Sequence, residues 1–228
     1  MSPSSVIDRI VGLLKWPVAI ACVVLLPGVC YALAFVARDV AHRPSSLAPV
    51  ALGALAFVAI WRLYLLPRAP RHVVVTLEHE LTHSAFALLT LHRVPALRAT
   101  LASGGHVRYA GRGNWLVTLA PFVVPTFACV VIAAGHWLHA PRLCSFLLGA
   151  TLAWNVVGNW SSAHRHHGDH RELGRVFAFI VIACANVFML GLVLAYASGA
   201  HSITAHLVHV RHPTAAIFAR LVHWITPA

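Results

Sequence analysis

The chain of 228 residues carries 17 Lys and Arg against 6 Asp and Glu, yet only 10% of its residues are charged and 59% are hydrophobic. A mean hydropathy of +0.77 excludes an ordinary soluble domain and points to a polytopic membrane protein. The formal charge of +11 is almost wholly arginine, scattered between apolar runs, which argues for lipid head groups and against nucleic acid.

The first apolar run, residues 16–37, is long enough to span and reads as a retained helix rather than a cleavable signal. Further runs cover residues 47–66, 73–91, 115–135, 143–160 and 176–197. Each approaches the ~20 residues that a helix needs to cross hydrocarbon. The expected fold is therefore an all-α polytopic membrane protein of about six transmembrane helices, one membrane-embedded domain over residues 1–228. Residues 1–66 carry no family motif. Pro27, Pro121 and Pro125 fall inside runs, where kinks are tolerated if neighbours satisfy the freed carbonyls. Cys22, Cys30, Cys129, Cys144 and Cys184 lie in or beside apolar runs without a C-x-x-C pair and read as buried thiols.

The third run holds His79-Glu80-Leu81-Thr82-His83, an H-E-x-x-H pattern. On a helix the two histidines project from one face, four residues apart, so both imidazoles can hold one zinc ion. Glu80 follows the first and can take a proton from water at that metal. Ionisable groups at membrane depth are costly and mark functional sites. A catalytic zinc needs a third protein ligand. The six acidic residues are Asp8, Asp39, Glu78, Glu80, Asp169 and Glu172. Asp169, after the fifth run, is the choice, with His164, His166, His167 and His170 as competing ligands and pairing with nearby arginines as its alternative role. The motif lies mid-span and Asp169 beyond the span by simple counting. The two meet only if residues 159–172 dip back as a re-entrant segment lining a wet cavity.

Residues 93–114 form a loop in which Gly104, Gly105, His106 and Val107 open a short alternating stretch. That suggests a small hairpin or edge strand, with an ordinary connecting loop as the alternative. The tail, residues 201–228, interleaves histidines and arginines with apolar residues and reads as an interfacial amphipathic segment.

The HELTH helix, the Gly104-Gly105-His106-Val107 loop, the span with Ala120-Pro121 and the late Gly168-Asp169 together resemble the site-2 protease group, the M50 family of intramembrane zinc metallopeptidases, and especially its M50B-like branch. The likeness spans a core of about residues 73–197. It implies one Zn2+ per chain held by His79, His83 and Asp169, and Glu80 as the base. It also implies a hairpin near Gly105 that receives substrate as an added strand, and a transmembrane protein as substrate. The sequence departs from the better-known members at the aspartate: Asn155 and Asn159 precede it with no proline between, and His170 stands where a glycine is expected. A substrate-binding role for Asn155 and Asn159 competes with helix–helix hydrogen bonding. The expected activity is hydrolysis of peptide bonds in or near transmembrane segments, in a multi-pass protein of the bacterial cell membrane. A non-catalytic metal or haem binder, or an inactive relative that binds membrane proteins, is the alternative.

Overall fold

A computed structural model describes residues 2–65, 70–100, 104–108, 113–165, 173–197 and 203–225. Helix α1 (Pro3–Leu13) starts with proline in its first turn and with the Ser2 side chain accepting from the Ser5 N–H. Helix α2 (Lys15–His42), at 28 residues, is the longest among the described residues. A short 3-10 turn (Pro44–Leu47) leads to α3 (Ala48–Ile60), which runs into a π-helical turn, Trp61–Leu65. Helix α4 (Pro70–Leu89) carries the HELTH motif. Strands β1 (Ala96–Thr100) and β2 (Gly104–Arg108) pair antiparallel, Ala96 opposite Arg108 and Thr100 opposite Gly104, and both lie against α4. Helices α5 (Trp115–Val123), α6 (Thr126–Leu138), α7 (Pro141–Arg165), α8 (Arg175–Ala197) and α9 (Ile203–Ile225) follow.

Among the described residues three helical stretches are long and apolar enough to cross a membrane: Lys15–His42, Pro44–Leu65 and Arg175–Tyr196. The pair Trp115–Val123 and Thr126–Gly135, bent by 65°, makes a fourth if it counts as one span. The expectation of six is thus corrected to three or four. The third and fifth runs are helices of ample length, but polar groups dilute them: Glu78, His79, Glu80, Thr82, His83 and Ser84 in α4, and Arg142, Ser145, Asn155 and Asn159 in α7. Around these helices large apolar side chains such as Ile20, Leu55, Leu63, Val156 and Phe179 face outward, as suits an integral membrane protein facing lipid.

Of the expected re-entrant segment, residues 159–172, only the first part is described. Residues 159–165 continue α7 as regular helix, and residues 166–172 lie outside the described set. Among the described residues a helix pair is broken at Val124–Pro125. Pro125 has no N–H to extend α5, whereas Ser161, Ser162 and Ala163 contain no helix breaker.

Small residues set the tightest crossing. A methyl group on Gly53 of α3 would overlap the Phe146 carbonyl of α7, and one on Gly149 would overlap the Val50 carbonyl, so the two backbones touch. Val50, Ala128, Leu148 and Val193 are buried around this contact. Helix α9 packs along α2 and α8, burying His206 and Val210. The five cysteines are free thiols; Cys144 and Cys184 are buried as expected, while Cys30 and Cys129 face outward.

Candidate active site

Helix α4 ends in a left-handed cap. Leu91 has φ 58°, its N–H bonds the Leu88 carbonyl, and the His92 N–H reaches back to the Ala87 carbonyl at 2.8 Å. This turn buries the His92 side chain, whose Nε2 lies 3.2 Å from Asp8 Oδ2 of α1 while Thr90 Oγ1 is 3.0 Å from its Nδ1. The other Asp8 oxygen accepts from Asn114 Nδ2 at 2.8 Å. Asn114 Oδ1 in turn accepts from the Val117 N–H and caps α5. One carboxylate thus ties the end of α4 to the start of α5. A second tie is the 2.8 Å hydrogen bond between Thr82 Oγ1 and Thr126 Oγ1 at the start of α6.

With α4 and the bent α5–α6 pair held side by side, the motif histidines converge. Their Nε2 atoms are 3.1 Å apart, and the rings stand edge to face with centroids 4.7 Å apart. His83 Nδ1 lies 2.8 Å from the Val117 carbonyl oxygen. A carbonyl only accepts, so Nδ1 carries a proton, and Nε2, which holds the lone pair whenever the ring is neutral, faces His79. Phe122 packs on His79 in a T-shaped arrangement, centroids 5.2 Å apart and planes 80° apart. The Phe122 carbonyl, freed by the break in α5, accepts from Asn186 Nδ2 of α8 at 2.8 Å. His79 and Glu80 are buried, at 5% and 4% exposure. Ser84 Oγ donates to the Glu80 carbonyl.

This donor set fits zinc. Two nitrogens each ~2.0–2.1 Å from a tetrahedral zinc stand about 3.3 Å apart, close to the observed 3.1 Å. An outer carbonyl on the second nitrogen of a ligating histidine is the usual support of such a site. Among the described residues no group of three or more His, Cys, Asp or Glu gathers to hold a metal. Asp169, the expected third ligand, lies outside the described residues, as do the competing His166, His167 and His170. His164 falls on α7.

Of the other expected site residues, Gly104, Gly105, His106 and Val107 form most of β2, beside α4. Asn155 and Asn159 sit one turn apart on α7, Asn155 half-buried. Sequence reasoning missed Val117, Phe122, Asn186 and the Asp8–His92–Asn114 link. A signal existed for the first: Pro121 inside an apolar run means that the carbonyl four residues earlier lacks its helical donor.

Neither a curated protein nor a solved structure matches the chain. A family model does: residues 50–162 match Peptidase M50B-like. That stretch, just under half of the chain, runs from α3 through the motif helix, the strands and the bent pair into α7. Over residues 50–162 this chain is therefore similar to the Peptidase M50B-like family, the M50B branch of the site-2 protease group.

Proposed function

We propose that the protein is an intramembrane zinc metallopeptidase that hydrolyses peptide bonds in or near transmembrane segments of membrane proteins. One observation carries the reading: two Nε2 atoms 3.1 Å apart beside a buried glutamate, on one helix of a peptidase-family segment. His79 and His83 would hold the metal, with Asp169 as the third ligand. When bound, zinc supplies Lewis acidity that polarises a carbonyl and makes water a better nucleophile at neutral pH. The Val117 carbonyl keeps His83 in the tautomer that presents Nε2. Glu80 takes the proton of the attacking water as its oxygen adds to the scissile carbonyl carbon. It returns that proton to the amide nitrogen as the C–N bond breaks. The geometry of the pair also speaks against haem. Two axial ligands stand on opposite faces of a macrocycle, and 3.1 Å leaves no room for one between His79 and His83.

Purified wild-type protein should contain one zinc per chain by elemental analysis, and His79→Ala should lose it. The loss should exceed the about 10- to 100-fold fall in affinity typical of an outer-shell change. Wild-type protein without zinc, or with haem in its optical spectrum, would overturn the reading. Zinc retained in Asp169→Ala but lost in His167→Ala would move the third ligand.

The substrate helix must unwind before its carbonyl can be attacked, because helical carbonyls are already bonded. A two-stranded sheet beside the motif helix offers an edge to which an unwound segment can add through main-chain hydrogen bonds. Residues Gly104 to Val107 would provide that edge, with Asn155 and Asn159 as side-chain contacts to substrate. Val107→Pro removes one backbone donor and should lower cleavage about tenfold, one lost hydrogen bond's worth, with zinc content unchanged. Unaltered cleavage by a folded Val107→Pro protein would remove the strand from the substrate path.

A further inference from the structure

The bent helix pair holds a detail that the zinc reading does not use. Pro121 lies inside α5, four residues after Val117. In a regular helix the N–H of residue 121 would bond the carbonyl of residue 117. Proline has no N–H, and its ring pushes that carbonyl aside. An orphaned carbonyl in an apolar setting is costly and seeks a donor. Val117 is fully buried, and the donor its carbonyl meets is His83 Nδ1 at 2.8 Å. Downstream the helix resumes its pattern, with the Val124 N–H on the Ala120 carbonyl at 2.8 Å. Upstream the Thr118 N–H bonds the Asn114 carbonyl at 3.2 Å. The gap in the ladder thus opens beside the second motif histidine.

We propose that Pro121 is a positioning residue for His83: by withholding a backbone donor it leaves the Val117 carbonyl open to the Nδ1 proton, which fixes the imidazole tautomer with Nε2 turned toward His79. The consequence for metal affinity rests on the zinc reading above; the tautomer itself does not. Pro121 touches neither metal nor substrate in this scheme and acts only through the carbonyl.

The test separates the missing N–H from the proline ring. Pro121→Ala restores the N–H, draws the Val117 carbonyl back along the helix axis and competes with His83. An ester at position 121, made by incorporating lactic acid through nonsense suppression, has neither ring nor N–H. The readout is the pair of ring 15N shifts of His83 in histidine-labelled, metal-free protein at a pH where imidazoles are neutral, assigned by the signal lost in His83→Gln. The wild type and the ester form should show the Nδ1–H tautomer. Pro121→Ala should show a mixture or the Nε2–H form, and its zinc affinity should fall about 10- to 100-fold, the range for losing an outer partner. An alanine form with wild-type shifts would overturn the proposal. So would an ester form that behaves like alanine, since the ring rather than the absent donor would then matter. Absence of zinc from the wild type would sink the peptidase reading and leave the shifts to decide this one.

Discussion

Glu80→Gln is expected to abolish peptide hydrolysis while leaving the fold and the zinc content intact. The exchange keeps the size and shape of a side chain that is 4% exposed, so packing is conserved. It removes basicity alone. The Ser84 hydroxyl bonds the main-chain carbonyl of residue 80 and is unaffected. A general base contributes typically 10²–10⁴-fold to rate, so turnover should fall by about three orders of magnitude or more. Single-turnover cleavage of a transmembrane substrate in detergent or liposomes, read beside elemental analysis, separates chemistry from binding. Activity near that of the wild type would mean that Glu80 is not the base.

The largest effect on stability is expected from Gly149→Val. Any Cβ on Gly149 meets the Val50 carbonyl, and the reciprocal contact of Gly53 with Phe146 leaves the two helices no direction in which to slide apart cheaply. Apolar side chains drive little association between helices in lipid, so close backbone approach provides much of the attraction between α3 and α7. Forcing a branched side chain into that contact should cost about 3 kcal/mol or more, the upper end for overpacking. The measurement is the thermal midpoint and protease resistance in detergent, compared with Gly12→Ala. Gly12 has nothing within 4 Å of its would-be Cβ, so alanine there should be neutral or slightly stabilising. Equal midpoints for wild type and Gly149→Val would show that the crossing does not bear on stability.

The sequence is informative where one residue type dictates a local outcome. The i, i+4 histidines share one face of α4 as their spacing requires, because helix geometry fixes the direction of each side chain. The break at Pro125 follows from a missing N–H. The number of spans was not legible. Hydropathy counts side chains one by one, and the same polar residues that make α4 a candidate site disqualify it as an apolar span. Nor were the supports of the site. The partners of His83, Phe122 and Asp8 are a carbonyl 34 residues away, an asparagine 64 away and an asparagine 106 away. Tertiary contacts of that kind leave no periodic trace. Proline chemistry decides where α5 gives way to α6, since Pro125 has no N–H to continue the helix.

Two of the long-range supports bear on the order in which the molecule comes into being. A nascent chain delivers Asp8 early, the motif helix next and Asn186 only after α7. Until α8 has entered the membrane, the Phe122 carbonyl lacks the Asn186 amide that closes the break beside His79. A ribosome-bound intermediate ending in α7 therefore has its histidines and glutamate in place on α4 without the finished wall that faces them. The wall of the candidate centre is thereby completed only once α8 is in place, later than the helix that carries the motif.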